Sequence, residues 1–283
     1  MTATTAATVR ARRHAVRLRP RATVALTLVS ALGLVAFFWP LFTPHLNVRL
    51  SDGALSHSTD APWLFVALLP LLLAIVIAEI ADGGIDAKAV AMLGVLAACG
   101  AALRPLGAGA TGVQPIFFLL IPAGRVLGRG FGFVLGALTL FASALLTAGV
   151  GPWLPFQMIG AGWVGFLAGC LPPARGRREV WLLAGYGVLA GLGYGLLLNM
   201  WFWPFSVTGT GASPGLAYVP GDAVLANLHR FLAFDGATSL GFDLPRAATN
   251  CVLVLIAGKP VLAALRRAAR RAAFDAPVEF EAR

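Results

Sequence analysis

Eight apolar stretches divide the chain: 22–42, 62–82, 87–103, 113–127, 131–149, 153–172, 180–203 and 242–266. A helix needs about 20 mostly apolar residues to cross a ~30 Å hydrocarbon core, and stretches near that length recur throughout. The pattern predicts an all-α polytopic membrane protein of about eight transmembrane helices. The third and fourth stretches are short and rich in Gly and Ala, which predicts helices that are tilted, broken or shielded by neighbours. Two longer polar intervals, 43–61 and 204–241, interrupt the pattern. The second holds a Gly/Thr/Ser/Pro run at 208–214 and then a semi-apolar stretch, 223–234, too short to span. That stretch is expected to lie in the membrane interface or to re-enter as a lid.

Composition agrees with the pattern. Hydrophobic residues make up 58% of the 283, charged residues only 12%, and mean hydropathy is +0.81. A soluble domain carries about a quarter charged residues, so a soluble class is excluded. The net charge of +10 points to anionic lipid rather than nucleic acid, because the basic residues hug the ends of apolar stretches on one side. Placing the N-terminus in the cytoplasm puts 18 of the 22 Lys and Arg residues there, as the positive-inside rule requires. Only Arg49, Arg104, Arg230 and Arg246 then fall outside. The C-terminus is cytoplasmic too, and the cell (inner) membrane is the expected location. The basic stretch before residue 22 resembles the start of a signal peptide. The following apolar run, however, is long and ends in Phe37-Phe38-Trp39-Pro40, so it reads as a retained helix. The chain thus divides into a basic cytoplasmic tail (1–21), a two-helix extension (22–83), a six-helix core (84–268) and a second cytoplasmic tail (269–283). The two basic ends are expected to anchor to anionic lipid or to meet a cytoplasmic partner.

Helices associate in lipid through small side chains on one face. Ala87, Ala91, Gly94, Ala98 and Ala101 form such a stripe on the third stretch. Others are Gly132/Gly136, Gly162/Gly165/Gly169 and Gly187/Gly191/Gly195. The latter three read as packing within the monomer; for the third stretch, a docking face for a separate membrane subunit is equally open.

Signs of enzyme chemistry are sparse, and the expectation is a non-enzyme without cofactor or metal. His14, His45, His57 and His229 have no second ligand at helical spacing, so no metal centre is predicted. Cys99, Cys170 and Cys251 lie singly in apolar stretches, giving neither a disulfide framework nor a zinc motif. Ser143 lacks a nucleophile-elbow frame. No Walker A motif occurs, which excludes ATP hydrolysis by a P-loop mechanism. Glu79 and Asp82 read as an interfacial acidic cap beside Lys88, with a proton relay as the alternative. What remains is a polar and aromatic collection at the outer ends of the later helices: Arg104, Gln114, Trp153, Gln157, Tyr194, Asn199, Trp201, Trp203, Asp243, Arg246, Thr249 and Asn250. An aromatic belt accounts for part of Trp201 and Trp203. Gln157, Asn199 and Asn250 lie about one turn inside the apolar region, where amides need partners or a ligand. Asp243 and Arg246 stand at i, i+3 and can neutralise each other. Aromatic walls with a few directional polar groups fit a small-molecule site.

From Lys88 onward the chain resembles the substrate-binding S component of energy-coupling factor (ECF) vitamin transporters. The Ala-rich helix at 87–104 ends in Leu103-Arg104, and Phe117-Phe118-Leu-Leu-x-x-x-Gly-Arg125 follows. Next come Gly128-Arg-Gly-Phe-Gly-Phe-Val-Leu-Gly136, Gly151-Pro-Trp-Leu-Pro-Phe-Gln157 and Gly160-Ala-Gly-Trp-Val-Gly165. Asn199-Met-Trp-Phe-Trp-Pro204 and Asp243-Leu-Pro-Arg-Ala-Ala-Thr-Asn250 look like actinobacterial members. The resemblance implies a six-helix core that binds a vitamin or its precursor from outside, and an ABC-type importer in which this chain is one subunit. It further implies docking through Ala87, Ala91, Gly94, Ala98 and Ala101 onto a membrane T component driven by two cytoplasmic ATPases. The substrate-binding residues would come from Arg104, Gln114, Trp153, Gln157, Tyr194, Asn199, Trp203, Asp243, Arg246 and Asn250. Metal-transporting relatives carry an N-terminal Met-His, which Met1-Thr2 does not match, so an organic substrate is implied. The N-terminal helix pair departs from the six-helix plan. Outside the resemblance, a stand-alone secondary transporter, a membrane enzyme and a structural subunit remain as readings.

Overall fold

A computed structural model of the chain describes residues 20–42, 87–107, 112–206, 215–219 and 221–272, with positions 63, 66, 67, 70 and 74. Among the described residues it is all-helical, without strands. The helices are α1 (Pro20–Phe42), α2 (Ala87–Leu103), α3 (Ile116–Leu127), α4 (Arg129–Leu146) and α5 (Leu154–Cys170), then α6 (Arg177–Ser206), α7 (Val224–Thr238) and α8 (Leu240–Ala272). A 3-10 turn at Pro105–Gly107 follows α2. Helices α1, α2, α4, α6 and α8 are long and apolar enough to cross a membrane. Their outward faces carry large bare side chains such as Leu189 (69% exposed) and Ile256 (74% exposed), a cost in water that lipid removes. The chain is all-helical among the described residues and carries five helices fit to span a membrane, as an all-α membrane protein requires. The predicted second helix (62–82) with Glu79 and Asp82, the interval 43–61, the tail before residue 20, the run 208–214 and residues 273–283 lie outside the described residues. The semi-apolar stretch at 223–234 falls within α7.

Helix α3 sits in the centre, touched by α2, α4, α5, α6 and α8. Ten of its twelve residues are buried. Twelve residues rise only ~18 Å, so α3 would leave backbone groups unpaired inside a ~30 Å core. Such ends are tolerated where protein surrounds them. The shortness expected from sequence is thus resolved by shielding. Its last turn closes through the Gly128 N–H, which donates to the Gly124 carbonyl at 3.1 Å. Gly128 alone separates α3 from α4, at φ 116°, a region open essentially only to glycine.

Glycine also sets how closely α3, α4 and α5 approach. A Cβ at Gly124 or Gly132 would strike the Gly165 backbone, one at Gly165 the Gly132 carbonyl, and one at Gly136 the backbone of Ala161 and Gly162. The motifs in stretches five and six therefore pack within the monomer. Helix α1 lies against α5 and α6: the Trp163 indole N–H donates to Ser30 Oγ at 3.1 Å, and Phe37 meets Phe156 edge-on at 5.4 Å.

At one end, here the basic end, Glu179 is 1% exposed and joins three segments. Arg125 Nε donates to its Oε1 at 2.9 Å, Arg266 Nη2 to both oxygens at 2.7 Å, and Arg125 Nη1 to the Leu171 carbonyl at 2.9 Å. Sequence reasoning passed over Glu179. Its signal was a single acid directly after Arg175, Arg177 and Arg178, at the head of an apolar helix.

Substituting Gly165→Ala is expected to destabilise the chain by about 2 kcal/mol, because the new methyl meets rigid backbone. Gly94→Ala, with open space around its Cα, is expected to leave stability unchanged. Unfolding of the two variants by denaturing detergent, side by side, checks both.

Candidate functional site

The opposite end of the bundle gathers the amides and the remaining buried charges. Its foundation is the seam between α6 and α8. Gly187 faces Asn250, Gly191 faces Ala247 and the Arg246 backbone, and the Asp243 carboxylate occupies the space that a Cβ at Gly195 would need. Two antiparallel helices in register at Gly187/Asn250, Gly191/Ala247 and Gly195/Asp243 thereby admit charged groups into a helix–helix contact.

Arg246 is the hub. Its Nη1 donates to Asp243 Oδ1 and, at 3.1 Å, to the Gly191 carbonyl. Its Nε donates to Gln114 Oε1 at 3.0 Å, and the guanidinium lies 5.4 Å from the centre of the Tyr194 ring. Tyr194 in turn meets Phe117 edge-on at 4.7 Å. The side chains of Asp243 and Arg246 are 3% and 7% exposed. Gly191 stands twelve residues beyond Glu179, ~18 Å along α6. If the basic end marks one face of the membrane, the pair lies well inside the ~30 Å hydrocarbon core. A buried ion pair survives there only with its remaining donors and acceptors answered, which is the service of Gln114 and the Gly191 carbonyl.

Arg104, just past α2, donates from Nη2 to Gln157 Oε1 at 3.2 Å. Asn250 Nδ2 donates to the Gly187 carbonyl at 3.2 Å, one turn deeper than Arg246. Two buried polar atoms here have no hydrogen-bond partner among the described residues: Arg104 Nη1 and Asn250 Oδ1.

Helix α7 closes this end. Asn199 Nδ2, near the end of α6, donates to Asp235 Oδ1 of α7 at 2.6 Å. Trp203 lies in a separate apolar cluster under α7 with Met200, Tyr218, Phe231 and Phe234, and its indole N–H donates to the Leu216 carbonyl at 2.7 Å. Helix α1 joins in: the Tyr218 hydroxyl donates to the Pro40 carbonyl at 3.3 Å. Asn227 pairs with both the N–H and the carbonyl of Val219, tying down the loop before α7.

Of the ten predicted ligand residues, the structure joins Gln114, Tyr194, Asp243 and Arg246 in one network. It brings Arg104 and Gln157 beside that network and places Asn250 beneath it. Asn199 and Trp203 serve the contact with α7, while Trp153 is half-exposed and bonds its own Gly149 carbonyl at 3.1 Å. Asp235 and Phe117 were missed as members of the site. A lone acid in the semi-apolar stretch at 223–234 and its flank was the available signal for Asp235. On the predicted docking stripe, Ala91, Gly94 and Ala98 face outward and Ala101 turns inward; the Ala87 side chain lies outside the described residues. At the basic end the stripe borders an apolar groove of about 430 Å³ between α2 and α8, lined by Lys88, Ala91, Val95, Ala264 and Ala268 among others.

Asp243→Asn is expected to cost about 3 kcal/mol, because Arg246 keeps its charge without its counter-ion. The double variant Asp243→Asn/Arg246→Met should cost less than the single one. Detergent-unfolding cycles on the wild type, Asp243→Asn, Arg246→Met and the double variant decide this, and additive losses would remove the coupling.

Burial raises the Asp235 pKa above the ordinary carboxylate value; the Asn199 hydrogen bond opposes this, and the nearby Asp243 charge adds to it. A raised folded-state pKa means that the native chain holds the proton more tightly than the unfolded chain. The Asp235 contribution to stability is therefore complete below about pH 3.9 and is lost as pH rises through its folded value. Asp235→Asn keeps an acceptor for Asn199 and removes the titration. It is expected to flatten the fall of the unfolding midpoint from about pH 4 to pH 7, measured by thermal scans across that range.

No family model, curated protein or solved structure matches the chain.

Proposed function

We propose that this chain is the substrate-binding S component of an ECF-type importer, an ABC transporter subunit that captures a vitamin or vitamin precursor on the outer face of the cell membrane. In this reading the chain crosses the membrane eight times, with both termini cytoplasmic and six core helices after the N-terminal pair. The basic end, with Arg125, Glu179 and Arg266, faces the cytoplasm. The amide end faces outward, with α7 as its lid. The observation that carries the reading is the convergence of Arg104, Gln114, Gln157, Tyr194, Asp243 and Arg246 beneath α7, at a depth where polar groups are kept only for a purpose. A second support is the outward-facing stripe of Ala91, Gly94 and Ala98, beside the apolar groove, on the helix where the family docks its T component.

The work divides between subunits. Aromatic faces (Phe117, Tyr194) and directional amides (Gln114, Gln157) give selectivity, and α7 excludes water once the ligand is seated. Binding alone moves nothing across the membrane, so the free energy comes from two ATPases acting through the T component. The stand-alone secondary transporter remains a second reading, favoured by the buried Asp243–Arg246 pair, since intramembrane charges mark ion pathways in such proteins.

Native mass spectrometry of the full chain is expected to find one small molecule bound per protein, and Tyr194→Ala and Gln157→Ala to lose it. Ala98→Leu is expected to abolish capture of an ATPase-linked membrane partner while leaving ligand retention intact. Uptake into cells or vesicles that lack any such ATPase would instead establish the secondary transporter.

A further inference from the structure

Five arginines among the described residues are buried or half-buried: Arg104, Arg125, Arg230, Arg246 and Arg266. Four of them have a carboxylate. Arg125 and Arg266 share Glu179, Arg230 pairs with Asp222 at 2.6 Å, and Arg246 pairs with Asp243. Arg104 is the exception. Its hydrogen-bond partner is the neutral Gln157, and its Nη1 is enclosed by protein with no acceptor among the described residues. Counting from Lys88, Arg104 lies sixteen residues on, ~24 Å along the axis of α2. That depth is still within the reach of the hydrocarbon core. The end of α2 offers a partial negative charge of about one half, which leaves most of the guanidinium charge unanswered. Among the described residues the other four arginines that are buried or half-buried each have an acid beside them, so the missing acid sets Arg104 apart.

Resting on the substrate-binding reading above, we infer that the ligand is an organic anion, with a carboxylate or phosphate group that serves as the counter-ion of Arg104. The surrounding charges agree. Asp243 is already committed to Arg246, and Asp235 is held by Asn199, so neither neutralises Arg104. Gln157 fixes one guanidinium nitrogen and leaves Nη1 to the ligand. Tyr194 is occupied by Arg246 and Phe117, so the polar group left to answer a ligand at this site is Arg104 Nη1. A lipid headgroup carries the same anionic chemistry.

The test uses the full chain purified in a sugar-based detergent without phospholipid. Thermal unfolding is followed against benzoate and phenyl phosphate, and against the neutral benzamide and phenol, with ionic strength held constant by chloride. The expected result is a saturable rise of the midpoint with an anion and none with its neutral congener. Arg104→Gln should raise the half-saturating concentration at least about tenfold, and Arg104→Lys should keep a weaker response. Arg129→Gln, at an exposed arginine, should respond as the wild type. The inference is overturned if neither anion raises the midpoint, if the neutral molecules act equally, or if Arg104→Gln responds like the wild type. Nanodiscs of phosphatidylglycerol against phosphatidylcholine separate the lipid source. An Arg104-dependent rise with phosphatidylglycerol that leaves no response to either solute would make the headgroup the ligand and overturn the inference. Partner capture is read separately. A captured ATPase-linked partner with no anion response sinks this inference alone, and a chain with neither partner nor bound solute sinks the S-component reading.

Discussion

Asp243 and Arg246 meet on α8 almost wholly enclosed by protein, and the rest of the amide end is arranged around that fact. Desolvating two ions costs several kcal/mol each, and the loss is recovered only when every donor and lone pair finds a partner. Glycine makes the recovery possible. With no Cβ at Gly195, the Asp243 carboxylate fits against α6. Because Gly191 lets α8 come close, its carbonyl is within hydrogen-bond range of Arg246 Nη1. A small-residue seam that would ordinarily bring two apolar backbones together here brings a backbone to an ion pair. The selection for glycine at these positions is therefore as much electrostatic as steric.

A second polar lock stands at the basic end, where Glu179 holds Arg125 and Arg266. Between the two locks the bundle is apolar and glycine-packed, with α3 shielded on all sides. The result is a rigid middle, since the contacts of Gly124, Gly132, Gly136 and Gly165 are backbone to backbone and leave no side chain to yield. Rearrangement is confined to the ends. At the basic end a shared carboxylate joins three segments, and separating any one leaves a buried charge behind. At the amide end the Asp243–Arg246 ion pair stays within α8, and the contacts between segments are single neutral or singly charged hydrogen bonds, each worth about 1–3 kcal/mol. The amide end is the cheaper one to open.

Much of this architecture was legible in the sequence, because lipid imposes coarse and regular demands. Within the described residues the apolar stretches became helices, with α2 matching its expected limits at both ends. The GxxxG spacings became real helix contacts, because small side chains at four-residue intervals share one face. The pairing of Asp243 with Arg246 also followed from spacing alone. Other features depend on which helices adjoin, and a local pattern does not carry that. Glu179 has nothing in its local pattern to mark it, since its two arginines come from α3 and α8. Trp203 looked like a pocket wall, but its partners Tyr218 and Phe231 come from the loop and helix beyond. Arg104 and Gln157 were each singled out, yet their pairing across 53 residues needed the α2–α5 arrangement to be known.

The N-terminal helix acquires a physical role from the way α7 is held. Helix α7 is fixed to the core through Asn199–Asp235 on one side and the aromatic cluster of Trp203, Tyr218 and Phe231 on the other. Phe38 and Leu41 of α1 pack against that same cluster, and the Pro40 carbonyl receives the Tyr218 hydroxyl. Helix α1 is thereby coupled to the loop that precedes α7, while its body lies on α5 through Ser30 and Phe37. A lid that opens by breaking Asn199–Asp235 alone would turn about the aromatic cluster, and α1 would hold that pivot in place. Without α1 the pivot would rest on the end of α6 and on α7, which runs on into α8 past Ser239. With α1 in place, Asn199–Asp235 is the polar contact that ties the other side of α7 to α6.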